Sequence, residues 1–530
     1  MNKHDSPQQL LTRVNQLAGQ KKISEALKLA KTILRQHPKF ANAWLTIAFL
    51  YFQTNQIDQA RKALKKARTL EPNNAFFAFQ EVMMLKSINK IGDALSIAKK
   101  LARTPLKDHR MNVALAHFLE VNYAFHEAKL LYTYLHKQQP DFSDWPAKLA
   151  MIEQAFGNID AAEKLAQEAI SKKPNHANVH FFISHLKKQS KESNHIDELK
   201  DIIKQRPGDK TNQSMLYFAL AKELEDCGEY SESFKYRKMG ADLFRSTLKY
   251  DINSDLGFMQ EIRKEFDTDF FKDISTKSSD EKPIFIVGLP RSGTTLMDRI
   301  ISAHSDVTAA DEITHMNQGI LQELSHQYRG KNLSRNELVR ASKYINFKKL
   351  GLDYLDNARF ARGTTPRFTD KFPQNSYYVG MILKALPGAK IIILQRHPVA
   401  VCYSIYKQMF HRDAYPYSYM LEELADYYIE HTKLLKHWQK MAGHSVKTVY
   451  YEELVSNLEN QTKDILSFLD LSWQPECLNF HKNKQPTATA SASQVRQKVY
   501  TDSVAMWQNY ESELQPLISK LKAAGCLDTA

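Results

Sequence analysis

Alanine recurs at a fixed interval of 34 residues, at Ala26, Ala60, Ala94, Ala128 and Ala162. Pro38, Pro72, Pro140 and Pro174 fall on the same grid, each twelve residues after one of those alanines, and Pro105 fills the third repeat one residue early. A period of this length marks a stack of supersecondary units, each too small to bury its own apolar face. Glycine and proline are scarce, at 17 and 18 of 530 residues, which favours helix because both punctuate elements rather than extend them. A chain this long also exceeds what one hydrophobic core usually serves, so two or more domains are expected.

The clearest unit is 41–74, ANAWLTIAFLYFQTNQIDQARKALKKARTLEPNN, which carries Trp44, Ile47, Ala48, Tyr51, Ala60, Ala67 and Pro72. Residue by residue this resembles the tetratricopeptide pattern. The physical reading is a helical hairpin: small residues at Ala48 and Ala60 let two helices approach, Trp44 and Tyr51 pack between neighbours, and the late proline stops the second helix. Units 7–40, 41–74, 75–108, 109–142 and 143–176 keep the grid; a degraded sixth runs from about Ala177 to Pro207, and 214–245 reads as a seventh hairpin. Phe76, Phe77 and Phe79 read as inter-helix core. Such an array offers a surface for a protein or peptide partner, the acceptor of the downstream chemistry included; a spacer or a homodimerisation arm is the other reading.

The formal net charge of +14 suits an anionic ligand without choosing among nucleotide, nucleic acid, acidic peptide and membrane surface. No recognition helix, zinc pattern or aromatic RNA-binding strand supports nucleic acid. Cys227, Cys402, Cys477 and Cys526 have no CxxC spacing, so neither a disulfide framework nor a zinc site is expected. The first residues, MNKHDSPQQLLTRVNQ, lack a signal-peptide core, and no window approaches 18 consecutive apolar residues. No transmembrane segment and a cytoplasmic location are the expectations.

The character of the chain changes after 245. Residues 246–281 hold no repeat, end in a polar run and read as a linker. Then comes PIFIVGLPRSGTTLMDRIISAH: an apolar run Ile284–Val287, a glycine-bounded loop from Gly288 to Gly293, and an amphipathic helix from about Thr294 to Ala303. A buried strand, a glycine loop and a helix N-terminus make an anion site, where backbone N–H groups converge and the helix dipole adds positive charge. The spacing of Gly288 and Gly293 is that of a nucleoside-triphosphate loop, with Thr295 at the Ser/Thr position. Thr294, however, replaces the lysine that would reach β- and γ-phosphates, and the cation lies inside the loop at Arg291. A triphosphate kinase or NTPase is thereby disfavoured, and a single terminal anionic group fits better.

GLPRSGTTL resembles the 5′-phosphosulfate loop of the sulfotransferases, in the form similar to the tyrosylprotein sulfotransferases. The resemblance implies that Arg291, Ser292, Gly293, Thr294 and Thr295 cradle the 5′ end of 3′-phosphoadenosine 5′-phosphosulfate. A second apolar run, Lys390–Gln395, delivers Arg396, His397 and Pro398, with Ser404 eight residues after Arg396. An arginine at a strand end and a hydroxyl on the next helix suit a monophosphate. This segment resembles the family's 3′-phosphate motif, carried here by Arg396 and Ser404. Glu312, in DVTAADEIT, matches the family's catalytic glutamate; a carboxylate in reach can take the proton from an attacking hydroxyl, and a phenol with a pKa of about 10 is the easier acceptor. His315 and Asp311 are alternative bases, and Thr314 stands where the family commonly has an arginine. Lys371, in RFTDKFPQN, is similar to a family motif with Phe372 in place of aspartate, and a lysine there would stabilise charge on the leaving oxygen. VKTVYYEELV resembles the family's strand-then-Tyr-Glu segment, which implies Tyr451 as the donor-binding tyrosine, a core tyrosine being the alternative. SASQVRQKVYTDSVAMW resembles the loop that closes on the nucleotide, with Ser493 and Arg496 as 3′-phosphate contacts and Met506 where the family has lysine. The resemblance spans about 283–510.

The expected architecture is therefore α + α/β: an all-α repeat solenoid over 7–245, a linker over 246–281, and a P-loop-like α/β domain with a central parallel sheet over 282–530. The expected activity is sulfuryl transfer to a hydroxyl, a protein tyrosine first and a saccharide or small alcohol second, with no metal. A non-catalytic scaffold is the alternative from another class.

Overall fold

The computed structural model describes residues 6–205, 208–272, 282–328, 330–359, 361–410, 414–482 and 502–527. Packing divides the chain into two compact units, Met1–Leu135 and His136–Ala530, the division falling inside the helix Phe125–Gln138.

In the first unit the helices pair as Pro7–Gly19 with Ile23–Gln36, Ala41–Gln53 with Ile57–Leu70, Ala75–Ser87 with Ile91–Leu101, and His109–Val121 with Phe125–Gln138. The pairing continues in the second unit with Asp144–Phe156 and Ile159–Lys172 and with Lys210–Asp226 and Tyr230–Arg245, while Ala177–Leu186 and Ile196–Lys204 both pack on Lys210–Asp226. All five grid alanines have no exposed surface, because each sits where one helix crosses the next and no larger side chain fits. Pro38, Pro72, Pro140 and Pro174 each follow a helix end by two residues. A second 34-residue register, unseen in the sequence reading, lies in the hairpin turns: Lys21, Asn55, Asn89, Tyr123 and Gly157 all have positive φ. Only one of the five is glycine, so composition hides the position. Phe77 and Phe79 are buried as expected, but Phe76 is 41 % exposed and is not core.

The stretch 246–281, read as a linker, is helical over Ile252–Glu265 and Thr268–Lys272. Phe258, Met259, Ile262, Phe266 and Phe270 bury the inner face of this region, partly against the long helix Leu421–Ala442. Its polar end drew attention away from that spacing. Phe218, Phe234, Ala241 and Phe244 of the last hairpin enter the same core as the sheet domain. The 245/246 boundary is a change of motif rather than of packing.

Among the described residues five parallel strands follow: β1 (Ile284–Gly288), β2 (Val307–Ala309), β3 (Arg367–Lys371), β4 (Lys390–Gln395) and β5 (Val446–Tyr450). Their order is β2-β3-β1-β4-β5, so β1 is central. Ile284 pairs with Thr369 on one side and Lys390 on the other, and Gln395 pairs with Tyr450. Alternation splits the core by face: Ile284, Ile286, Ile392 and Leu394 pack on Met297, Ile300 and Ile465, while Phe285, Val287, Ile391 and Ile393 face the larger cluster around Tyr354 and Val399. Helices cover both faces, as a parallel sheet requires. The chain order reverses about β1, and such a reversal opens a crevice at the carboxyl ends of the strands.

Candidate active site

Every strand delivers one of the expected residues at that edge. β1 ends at Gly288 and leads through Arg291 and Ser292 into the helix Thr294–Ser302. β2 leads to Asp311 and Glu312, β3 ends on Lys371, β4 on Gln395 before Arg396, and β5 on Tyr450 before Tyr451.

Two glycines make the loop possible. Gly288 has φ of 152°, and a Cβ there would lie 2.6 Å from the carbonyl oxygen of Leu394. Gly293 has φ of 103°, and its Cβ would lie 2.6 Å from the ring of Tyr451. Arg291 itself holds a left-handed backbone at φ 67°, an uncommon conformation that non-glycine residues adopt mainly where surrounding structure imposes it. The Ser292 hydroxyl donates to the Leu289 carbonyl at 2.8 Å and closes the turn. Ser292, Thr294 and Thr295 are all buried.

The two basic clusters meet. Arg291 Nε lies 3.4 Å from Ser404 Oγ, and Arg396 donates to the Arg291 carbonyl at 3.2 Å. The Arg396 guanidinium also lies 4.7 Å over the Tyr451 ring, so that ring is held between Gly293 and a cation. Pro398 and the His397 side chain, which accepts from the Ala400 amide, start the helix Pro398–Tyr406 that carries Ser404. The His397 amide donates to Glu452, and Trp507 stacks on the His397 ring with centroids 5.2 Å apart. Met506 begins the short turn Met506–Tyr510. Ser493 and Arg496 lie outside the described residues.

On the other side of β1, Lys371 and Glu312 form an ion pair, with the Lys371 side chain 1 % and Glu312 32 % exposed. Their strands stay in register past β2, because Ala310 donates to the Thr369 carbonyl and Lys371 to that of Asp311. Three further carboxylates lie nearby. Asp298 accepts from the Thr369 hydroxyl, and Asp370 accepts from Tyr354 at 2.8 Å and Asn375 at 3.1 Å. Burial raises the Asp298 and Asp370 carboxyls, and for Asp311 burial together with the Asp298 charge pushes the pKa up to about 7 against the pull of Lys371 and Arg299. Burial lowers His315 to about 4, so it is uncharged at neutral pH; it opens the helix His315–Gln327, and Thr314 precedes it. Asp298 and Asp370 were missed in the sequence because one is an ordinary carboxylate on the helix Thr294–Ser302 and the other lies in the polar strand RFTDK beside Lys371. A cavity of about 660 Å³ includes in its wall Asn317, Gln374, Tyr377, Tyr378 and Tyr417, five residues beyond Glu312 and three beyond Lys371 at its nearest points in the chain.

A glycine loop at a helix N-terminus, Arg291 beside the Ser404 hydroxyl with Arg396 on its carbonyl, and an acid–lysine pair on the other side of the central strand fit a domain of the phosphate-loop kind. Residues 283–475 match the family model described as "Sulfotransferase family", and residues 17–80 match the tetratricopeptide-repeat model. The chain thus carries a tetratricopeptide-repeat region followed by a sulfotransferase-family domain. It is similar to an uncharacterized protein of Aquifex aeolicus, 27 % identical over 389 residues, covering 71 % of this chain and 51 % of that one. It is also 27 % identical over 234 residues to the protein-tyrosine sulfotransferase of Drosophila melanogaster, covering 42 % and 46 % of the two chains. With protein-tyrosine sulfotransferase A of Caenorhabditis elegans it shares 25 % identity over 238 residues, 42 % and 60 % of the two chains. The chain spans about half the length of the Aquifex relative. Among the described residues, no helix is long and apolar enough to cross a membrane.

Proposed function

We propose that this chain moves a sulfuryl group from 3′-phosphoadenosine 5′-phosphosulfate to an acceptor hydroxyl, with a protein or peptide tyrosine as the acceptor. The observation that carries the reading is the approach of Arg291, Arg396 and Ser404 at one end of β1 and β4, with Glu312 and Lys371 across β1. The cradle fits an anionic nucleotide: two glycines bring backbone to the surface where any Cβ would clash, and the buried hydroxyls of Ser292, Thr294 and Thr295 line a helix N-terminus. The donor supplies an activated sulfuryl group when bound.

The chain's own groups do the rest. Arg291, Ser292, Gly293, Thr294 and Thr295 hold the 5′ anion, Arg396 and Ser404 hold the 3′-phosphate, and the Tyr451 ring keeps Arg396 in place. Ser493 and Arg496 are further 3′-phosphate contacts in this reading. Glu312 takes the acceptor proton, and its pairing with Lys371 fixes the carboxylate before the acceptor arrives. Lys371, nearly fully buried, stabilises charge on the oxygen that leaves. The acceptor enters by the aromatic cavity near Asn317 and Tyr378. The tyrosine assignment draws on the relatives named protein-tyrosine sulfotransferases; the repeat region is proposed as the surface that holds the acceptor polypeptide or another peptide. Thr314, in place of an arginine, favours a saccharide or small alcohol as the second reading.

Incubation with radiolabelled donor and whole-cell extract tests both readings, since the label appears in protein or in a smaller species. Glu312→Gln should abolish labelling while adenosine 3′,5′-bisphosphate still binds. Loss of nucleotide binding instead would place Glu312 in the donor pocket and end its role as base.

A further inference from the structure

The last helical hairpin reaches the back of the candidate donor site. Glu225, on the helix Lys210–Asp226, has a side chain 9 % exposed and accepts four hydrogen bonds: from Tyr403 at 2.6 Å, Lys407 at 2.8 Å, Tyr510 at 3.0 Å and Arg237 at 3.3 Å. Arg237, 1 % exposed on the partner helix of the hairpin, also donates to the Lys407 carbonyl at 3.3 Å. Burial opposes the Glu225 charge, but Lys407 and Arg237 overcome it and hold its carboxyl well below the ordinary value. Burial lowers Lys407 against the pull of Glu225, and the charge of Arg291 lowers it further.

Tyr403 and Lys407 are four residues apart on the helix Pro398–Tyr406 and its C-cap, so they share one face. Ser404, the next residue round, is the one within reach of Arg291. A helix pinned on one face by two side chains cannot rotate, and the azimuth of Ser404 is set by Glu225.

We propose that Glu225, with Arg237 and Lys407, is a positioning cluster for the donor-anion site, and that the hairpin Lys210–Arg245 is thereby a working part of the transferase. The inference rests on the reading of Arg291, Arg396 and Ser404 as donor contacts. Its mechanism is geometric: the cluster holds Ser404 against Arg291.

Titration of the full chain with adenosine 3′,5′-bisphosphate, together with donor KM and kcat, tests it. Glu225→Gln should weaken nucleotide binding about tenfold and raise donor KM by a similar factor, with kcat at saturating donor within about twofold. Tyr403→Phe, which keeps the ring and the charges, should weaken binding about threefold. It carries the test if Glu225→Gln does not fold. Lys407→Met should also weaken binding, and Lys407→Arg should restore it. Glu423→Gln breaks a comparable ion pair, that of Arg245 with Glu423 at 2.7 Å, away from this helix; it should lower the melting temperature and leave nucleotide affinity unchanged. Nucleotide affinity within twofold of the parent in Glu225→Gln and Tyr403→Phe alike, whatever the fall in melting temperature, would overturn the proposal. A parent protein that fails to bind the nucleotide would instead refute the donor-site reading itself.

Discussion

Asp311 follows β2, is half-buried, and has its carboxyl raised to about 7 by desolvation and by the Asp298 charge. Its backbone sits at φ 56°, a left-handed conformation that asparagine adopts as readily as aspartate. Asp311→Asn therefore removes a charge while keeping shape and backbone. A carboxyl moved from the ordinary 3.8 to about 7 costs the folded state about 4 kcal/mol once ionised, at roughly 1.4 kcal/mol per unit. Partial solvent access reduces this to about 2 kcal/mol. The sign follows from proton binding. Between about pH 4 and pH 7 the folded chain holds more protons than the unfolded one, so stability falls as pH rises, and the full penalty applies above pH 7. Below about pH 4 both states are protonated and the penalty vanishes. Asparagine carries no such term. In urea unfolding followed by tryptophan fluorescence, Asp311→Asn should be more stable than the parent by about 2 kcal/mol at pH 8 and by less than half of that at pH 5. An equal difference at the two pH values, or a variant less stable at pH 8, would refute the claim that this carboxyl is ionised at a cost.

Gly293→Ala places a Cβ 2.6 Å from the Tyr451 ring at a φ of 103°; it should cost about 1–3 kcal/mol in chemical denaturation and abolish nucleotide binding in calorimetry. Lys371→Met leaves Glu312 without its ion-pair partner, and single-turnover labelling should slow by about a hundredfold or more with nucleotide affinity changed little. Ala60→Leu overfills a position with no exposed surface; it should lower repeat stability by about 1–3 kcal/mol, read by circular dichroism, without altering the donor KM.

What the sequence disclosed depended on how local each signal was. The repeat hairpins were legible because a 34-residue period is written in residue size alone, as Ala60 and its equivalents at zero exposure confirm. β1 and β4 were legible because a strand buried on both faces reads as an unbroken apolar run. β3 was not: its sequence is RFTDK, and Thr369, Asp370 and Lys371 are buried polar groups whose partners Asp298, Tyr354 and Glu312 lie elsewhere along the chain. Glu225 was invisible for the same reason, since Tyr403 and Lys407 lie far along the chain and nothing about an isolated glutamate on a helix marks it as buried. The helix Ile252–Glu265 was hidden by the polar tail that follows its neighbour. Gly288 and Gly293 announced a loop, but the ring that makes Gly293 obligatory belongs to Tyr451 and shows only in three dimensions.

The central place of β1 bears on how the chain is made. Its hydrogen-bonding edges are met by β3 and β4, which follow it at a distance, so a growing polypeptide exposes Ile284–Val287 with no neighbour until synthesis has passed Lys371, and with one open edge until it has passed Gln395. The helical hairpins ahead of it need only local contacts and can be finished by then. An arrested or truncated product ending between Ser302 and Arg367 would display an unpaired apolar strand beside completed helices, and is the species on which chaperone capture or aggregation should concentrate.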